Sequence, residues 1–342
     1  MEPVTHALAS LAIARAGRKH LPRFGTAMLV VAGVAPDLDY ASYLGGAGAF
    51  LRFDRTLLHS AVGAAATACI VAGVFVAIAK VFPTKRAPSP HGHAPKLQTA
   101  LGVCCIAVLA HLALDLVSGV GVNLLWPFRT HWFGLPLSAN LDPWILVLLI
   151  AGILLPELFR LVSEEIGERK KGARGRTGAI VALLLLIAYV AARADLHSNA
   201  MSLLMTREYH DHAPLTAGAF PSATTPFNWR GVVSTDNTLE ESEVSLSPGV
   251  EFDSDRSLTH YKPQDSPVLD AGQRTEAAKR FLSYARFPLA SVDRLEDGYR
   301  FELRDLRFAP GDNSANNIIV RVDFDSAMQI KGRQFRFASQ PD

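Results

Sequence analysis

Several features that would indicate familiar classes of protein are rare or missing in this chain of 342 residues. Its only three cysteines, Cys69, Cys104 and Cys105, fall in apolar stretches and offer neither a disulfide framework nor a zinc-finger spacing. No G-x-G-x-x-G or P-loop pattern is present. The net charge of +2 gives no indication of nucleic-acid binding. The N-terminus lacks the basic start of a cleavable signal peptide.

The composition instead indicates a membrane protein. Hydrophobic residues make up 49% of the chain and its mean hydropathy is positive, which is high for a soluble protein of this length. Four apolar runs, at residues 57–82, 97–120, 141–161 and 177–194, are long enough or nearly so to cross roughly 30 Å of hydrocarbon. Two shorter runs, at residues 4–16 and 26–35, fit short or tilted helices of the same bundle. We therefore predict an all-α membrane bundle of about six helices.

Lysine and arginine cluster in every second loop between these runs. The basic residues are Arg15, Arg18, Lys19 and Arg23, then Lys80, Lys85, Arg86 and Lys96, then Arg160, Arg169, Lys170, Lys171, Arg174 and Arg176. Because cytoplasmic loops carry an excess of basic residues, these three loops should face the cytoplasm. The loops at about residues 37–56 and 119–140 then face outward, with Arg52, Arg55 and Arg129 as exceptions to the bias. If all six runs cross, both ends of the chain lie outside.

After about residue 195 the chain becomes polar and mixed. Apolar and polar residues alternate in short segments that predict strands at residues 229–234, 243–247, 299–306, 318–324 and 334–338. Residues 275–284 have the pattern of a helix, and residues 254–272, rich in Asp, Ser and Pro, predict a loop. We expect residues 1–195 to form the membrane domain and residues 196–342 a small α+β domain outside the membrane.

The polar residues inside the fourth apolar run carry the strongest functional signal. His111 and Asp115 are four residues apart, so on a helix they lie on one face, one turn apart. An imidazole and a carboxylate are costly to place in a membrane-length segment, and such residues usually serve a function. The alternative is a polar pair that closes a helix–helix contact.

The predicted topology brings further candidates to the same outer level. Seven residues from five helices collect there, and three imidazoles with several carboxylates suit zinc or a comparable divalent ion, as one ion or two. The candidate ligands are His6, Asp37, Asp39, His59, His111, Asp115 and Asp142.

Each of these residues also has a simpler interpretation. His6 can be an ordinary polar residue at a helix start, and His59 an interfacial one. Pro36-Asp37 is also typical of a turn, and Asp37 and Asp39 reach one ion only if their segment is not helical. Asp142 before Pro143 is equally typical of a helix N-cap.

Several motifs resemble the YdjM-like inner-membrane metal-dependent hydrolases, a family also described as LexA-regulated. They are Val4-Thr5-His6-Ala7-Leu8, Pro36-Asp37-Leu38-Asp39, Arg55 with His59-Ser60, His111-Leu112-Ala113-Leu114-Asp115, Trp126-Pro127-Phe128, Asp142-Pro143 and Pro226-Phe227-Asn228-Trp229-Arg230. The family often has His-Arg-x-x-Thr-His-Ser where this chain has Asp54 and Leu58, so a role of that first histidine does not carry over. The resemblance implies an inner-membrane location and a metal hydrolase, without naming a substrate.

A more remote similarity links the order His, Asp, His, His-x-x-x-Asp to zinc-dependent phospholipase C and P1-type nucleases. Those enzymes carry a further His-x-x-x-Glu and a metal-binding N-terminal Trp, and this sequence has neither. A full three-metal centre is therefore not expected.

These patterns predict a membrane-bound metal-dependent hydrolase whose site lies at the outer face of the inner membrane. In this hypothesis Asp115 or Asp39 is a ligand or general base, and Arg55 holds a phosphate or carboxylate unless it is only an interfacial anchor. A site there favours membrane lipid or a lipid-linked phosphoester as substrate. Two alternatives remain: a metal-binding or transport protein without hydrolysis, and a structural membrane anchor.

Overall fold

The computed structural model describes residues 1–82, 95–165, 175–309, 312 and 314–340. Parts of two basic loops, including Lys85, Arg86 and residues 169–174, lie outside the described residues. The chain forms two compact units. The helical unit comprises Met1–Leu38, Leu57–Arg129 and Phe133–Arg193, and the sheet unit comprises Asp39–Thr56, Thr130–Trp132 and Ala194–Asp342.

Helices precede the sheets along the chain. They are α1 (Pro3–Ala16), α2 (Gly25–Val34), α3 (Ala47–Phe53), α4 (Ala61–Val81), α5 (Leu97–Leu116), α6 (Pro143–Glu165) and α7 (Arg176–Thr206). A 3-10 segment, Ala35–Gly45, follows α2 directly. The helix α3 belongs to the sheet unit, and α7 begins in the helical unit and ends in the sheet unit.

Four of the described helices, α4 to α7, are long and apolar enough to cross a membrane. They correspond to the four long apolar runs of the sequence. The helices α1 and α2 have 14 and 10 residues, about 21 and 15 Å at 1.5 Å per residue, so neither spans roughly 30 Å of hydrocarbon when untilted. Six crossings therefore stay a prediction.

The short helix α1 lies in the interior of the helical unit. Its Ala14 packs with Met28 of α2 and Ala68 of α4 in one buried cluster. Its Ala9 and Ala12 pack with residues of α5, α6 and α7 in a second one. Small side chains on α1 let the surrounding helices approach closely, as is usual where helices pack in a bilayer.

The sheet unit contains two antiparallel sheets of four strands each. The first sheet has the order β1 (Thr216–Pro221), β2 (Asn228–Ser234), β3 (Thr238–Ser245) and β4 (Leu258–Tyr261). The second has the order β5 (Pro288–Leu295), β6 (Gly298–Asp305), β7 (Ile318–Asp325) and β8 (Ile330–Phe337). Two short helices, α8 (Pro267–Arg274) and α9 (Glu276–Tyr284), connect the sheets.

The segment Asp39–Thr56 packs on the second sheet although it lies far away in the sequence. The ring of Tyr43 stacks on Phe337 of β8 with centroids 4.5 Å apart. A Cβ added to Gly48 of α3 would lie 3.1 Å from the ring of Phe335, so α3 approaches β8 closely. The segment Asp39–Thr56, between α2 and α4, is therefore part of the sheet unit's fold.

The predicted order of a helical region followed by a strand-rich region is confirmed. The five predicted strands correspond to β2, β3, β6, β7 and β8, and the predicted helix corresponds to α9. The prediction of a loop at residues 254–272 is wrong, since that stretch contains β4 and most of α8. The strands β1 and β5 were not predicted.

Candidate metal centre

Five of the predicted ligands come together in the helical unit. His6 lies near the start of α1, and Asp37 lies in the 3-10 segment that follows α2. His59 directly precedes α4, and His111 and Asp115 lie in the last turns of α5. Four separate segments of the chain therefore supply the cluster.

Local sequence signals place these residues at helix ends. Pro3 opens α1, where the missing N–H is no loss because the first amides of a helix have no partner within it. Pro36 follows the end of α2 at Val34, and the chain continues there as a 3-10 segment. Ser60 caps α4, with its Oγ accepting a hydrogen bond from Gly63 N at 3.0 Å.

The Asp115 carboxylate lies at the centre of the cluster. Its Oδ2 is 3.0 Å from His59 Nε2 and 3.2 Å from His111 Nε2. Its Oδ1 is 3.4 Å from His6 Nε2 and accepts a hydrogen bond from the Met1 amine. The two nitrogens His59 Nε2 and His111 Nε2 are themselves 3.0 Å apart. Three imidazoles thus converge on one carboxylate.

Asp37 lies at the edge of this group. Its Oδ1 is 4.0 Å from His59 Nε2 and 3.9 Å from His111 Nε2. His6, Asp37, His111 and Asp115 each offer one ligand atom, and these four atoms all lie within 4.8 Å of one another. Such a group of nitrogen and carboxylate donors could hold a metal ion.

Burial makes the cluster hard to explain without a further partner. The side chains are 0–2% exposed at His6, His59, His111 and Asp115, and 11% at Asp37. Among the described residues, neither Nδ1 of His6 nor Oδ2 of Asp37 has a hydrogen-bond partner, and Nε2 of His6 lies at the long distance of 3.4 Å from Asp115 Oδ1. Buried polar atoms in folded proteins nearly always have one, and an ion would supply it here.

The distances also fit a small metal ion. Two ligands at 2.0–2.1 Å from a tetrahedral zinc ion lie about 3.3 Å from each other. The edges joining His59 Nε2, His111 Nε2 and Asp115 Oδ2 measure 3.0–3.2 Å, close to that value. These three atoms therefore match one face of a zinc coordination sphere.

A backbone carbonyl fixes the orientation of His111. Its Nδ1 donates a hydrogen bond to Gly33 O at 2.8 Å, and Gly33 lies in the last turn of α2. With Nδ1 protonated, the lone pair of Nε2 faces the cluster, as in metal-binding histidines held by a second partner. The His111 ring also stacks on His6, with centroids 3.7 Å apart.

The structure gives Asp142 a different set of partners. Its Oδ1 accepts hydrogen bonds from Trp144 N at 3.0 Å and Ile145 N at 3.3 Å, which makes it the N-cap of α6. Tyr189 of α7 donates its hydroxyl proton to the same carboxylate, 3.0 Å from Oδ2. Asp142 thus ties α6 to α7 and is not in the four-residue group that could hold an ion.

The other two predicted residues lie in the sheet unit. Asp39 is 7% exposed and belongs to the segment Asp39–Thr56. Arg55 is 5% exposed, adopts a left-handed backbone with φ of 52°, and has Nε 3.8 Å from Asp54 Oδ2. Their proposed roles as base and anion holder stay predictions.

Sequence reasoning missed three contributors to the cluster and its surroundings. They are the Met1 amine on Asp115, the Gly33 carbonyl on His111, and the Tyr189 hydroxyl on Asp142. The first two are main-chain groups, the amine of Met1 and a peptide carbonyl, and their contacts cannot be inferred from the type of side chain. Tyr189 lies in an apolar run, where its polar end was a usable signal.

The sheet unit contains a buried carboxylate, that of Glu240, which was not predicted from the sequence. Glu240 of β3 is buried, and its Oε2 accepts hydrogen bonds from Ser257 Oγ and Thr259 Oγ1, each at 2.8 Å. Burial raises the pKa of Glu240, but the hydroxyl groups of Thr238, Ser257 and Thr259 together outweigh it and leave the pKa below its ordinary value. Glu240 is therefore held in its charged form.

The comparisons with known proteins agree with the helical part of this description. No curated protein and no solved structure matches the chain. The profile of the family described as YdjM inner membrane protein matches residues 1–199, which include the whole His and Asp cluster. More than half of the 342 residues are covered, and with its four membrane-length helices the chain belongs to the YdjM inner membrane protein family.

Proposed function

We propose that this chain is a membrane-bound metal-dependent hydrolase. One observation carries the proposal: three imidazoles and two carboxylates from four segments converge in a buried space, where among the described residues His6 Nδ1 has no hydrogen bond and His6 Nε2 lies 3.4 Å from the Asp115 carboxylate. A cluster that only closed helix–helix contacts would pair these atoms with one another or with the backbone. The unpaired donors favour a bound divalent ion, with zinc the best match for this ligand set.

The residues divide into ligands and a proton acceptor. The ion would polarise the substrate oxygen and lower the pKa of a bound water towards neutrality. His59, His111 and Asp115 would hold it, since their donor atoms have the tightest spacing. Asp37 is the best-placed proton acceptor because its Oδ2 has no hydrogen-bond partner among the described residues and its side chain is the most exposed of the five.

The site lies at one end of the helices, and charge favours the outer end. His6 is at the start of α1 while Arg15 is at its other end, and Asp115 ends α5 while Lys96 precedes its first residue. Basic residues favour the cytoplasmic side, so the cluster would face outward. This location supports a lipid or lipid-linked phosphoester of the outer leaflet as substrate.

Hydrolysis by the full chain in lipid nanodiscs tests the proposal. We expect metal-dependent cleavage of a phosphoester from a panel of chromogenic esters, phosphoesters, amides and lipids, and loss of cleavage after chelation. Asp37→Asn should retain the metal while lowering the rate on the order of 10²-fold, the usual contribution of a general base. Gly102→Ala, on an open face of α5, is the matched control and should keep full activity.

A different outcome would favour the non-hydrolytic alternative. If wild-type protein binds metal stoichiometrically and cleaves nothing in the panel, the cluster is a binding or transport site. If it binds no metal and still cleaves a substrate, the proposed mechanism is wrong.

A further inference from the structure

We infer that Gly33 is the positioning residue that orients the ligand His111 and sets the spacing of the His and Asp cluster around it, an inference that rests on the metal centre proposed above. Gly33 lies in the last turn of α2, where α1, α2 and α5 meet. It contributes no side chain to the cluster. Gly33 affects the geometry of the cluster in two ways: it lets the neighbouring helices approach closely, and its carbonyl group accepts a hydrogen bond from His111.

The neighbours of Gly33 are each one helical turn from a residue of the cluster. A Cβ at position 33 would overlap Ser10 Oγ and lie 3.1 Å from Ser10 Cβ and 3.8 Å from Ala107 Cβ. Ser10 follows His6 by four residues on α1, and Ala107 precedes His111 by four on α5. Asp37 follows Gly33 itself by four. Three residues of the His and Asp cluster, one of them the proposed ligand His111, therefore stand one turn away from a single contact point.

The carbonyl of Gly33 also affects the metal centre, because it orients the ring of His111. Near the C-terminal end of α2 this carbonyl is free to accept a hydrogen bond from outside the helix, and His111 Nδ1 donates one at 2.8 Å. This bond selects the tautomer of His111 that presents the Nε2 lone pair to the cluster. A displacement of α2 would thus disturb both the ligand spacing and the ring that the carbonyl holds.

Substitution of Gly33 tests this inference in the full-length protein. We expect Gly33→Ala to weaken zinc binding tenfold or more, the effect usually seen when a partner behind a ligand is altered. Its cobalt-substituted form should show a changed visible spectrum, a readout that general destabilisation would not move. Gly73→Ala and Gly102→Ala, where nothing lies within 4 Å of the added Cβ, should bind zinc and cobalt as wild type does.

A compensating substitution distinguishes an effect on the spacing of the cluster from a general disruption of the fold. Ser10→Gly removes the atoms that a Cβ at position 33 would meet, so the double variant Ser10→Gly/Gly33→Ala should regain most of the zinc affinity and the wild-type cobalt spectrum. Unchanged zinc affinity in Gly33→Ala, or no recovery in the double variant, would overturn the inference. Wild-type protein that binds no zinc would instead overturn the proposed metal centre itself.

The tautomer of His111 gives a second test that needs no folded Gly33 variant. In ¹⁵N-histidine-labelled wild-type protein, we expect the His111 signal to show a protonated Nδ1 and an unprotonated Nε2 in the zinc-bound form. A bare Nδ1 would mean that the Gly33 carbonyl does not hold the ring, which would overturn the inference even if zinc is bound.

Discussion

At the scale of single residues, Asp115 and Asp142 show how two buried carboxylates in one helical unit differ in role. Asp115 faces the imidazoles of His6, His59 and His111. Asp142 faces two backbone amides and the Tyr189 hydroxyl, so its charge stabilises the start of α6 and the contact with α7. The difference lies in what surrounds each group and not in residue type or burial.

This contrast predicts opposite results for two matched substitutions. Asp115→Asn keeps the shape of the side chain but removes the negative charge that an ion requires, so zinc affinity should fall at least about tenfold. Asp142→Asn can still cap α6 and should keep wild-type zinc affinity. Isothermal titration of each full-length variant with zinc measures the difference. Equal affinity in Asp115→Asn and wild type would show that Asp115 is not a ligand, and full hydrolytic activity as well would show that it is a packing residue.

The sequence was sufficient to find the residues of the His and Asp cluster but not the groups that contact them from outside it. His6, His59, His111 and Asp115 stand out because ionisable residues in apolar runs are costly and therefore conspicuous, and Asp37 follows the end of such a run. For Asp142, the pattern Asp-Pro fitted both a ligand and an N-cap, and only the contacts with Tyr189 and the α6 amides reveal the cap. Gly33 could not be found, because its contribution depends on which helices approach it.

At the scale of elements, the strands that sequence reasoning missed lie at the edges of their sheets. The strand β4 has exposed Leu258 and Tyr261 at its ends and pairs with β3 alone. It has no alternating apolar face, because its contribution to the fold is the backbone pairing and the hydroxyl that Thr259 donates to Glu240. The strand β1, with two alanines and a glycine, likewise lacks the branched residues that signal a strand.

The Glu240 site predicts a pH-dependent stability of the sheet unit. Since the folded-state pKa of Glu240 is below its ordinary value of 4.5, its stabilising contribution is present above that pH and is lost as the pH falls through the folded value. Glu240→Gln should cost about 1–3 kcal/mol at neutral pH, because the buried side chain would lose the charge that the half-buried hydroxyl groups of Ser257 and Thr259 stabilise. The loss of stability caused by Glu240→Gln should be smaller at acid pH, where the wild-type carboxylate is protonated.

Urea unfolding followed by the fluorescence of buried Trp229 measures this difference in the full chain. Glu243→Gln is the matched control, since Glu243 is an exposed carboxylate of the same strand. A Glu240→Gln variant that is as stable as wild type at neutral pH, or whose loss of stability does not shrink in acid, would contradict the assignment.

At the scale of the whole molecule, the membrane-length helices set the topology. If the basic ends of α4, α5, α6 and α7 face the cytoplasm, α4 begins on the outer side of the membrane, next to His59. Four crossings then bring the end of α7 back to that outer side. This result does not depend on whether α1 and α2 cross as well. The sequence therefore predicts sidedness more firmly than it predicts the number of spans.

Reporter fusions test this topology. Fusions near Pro88 and Gly172 should report the cytoplasm, because the adjoining loops are basic. Fusions near Gly48, Gly134 and residue 342 should report the outside. A cytoplasmic C-terminal end would contradict both the orientation and the proposed outward position of the metal centre.

The metal content of the purified protein tests the central claim most directly. We predict about one or two divalent ions, with zinc favoured, for each full-length wild-type chain extracted in mild detergent. His111→Ala, purified in parallel, should lose most of this metal because His111 Nε2 borders both His59 and Asp115. Wild-type protein that contains no stoichiometric divalent metal after zinc supplementation, or a His111→Ala variant that retains all of it, would contradict the account.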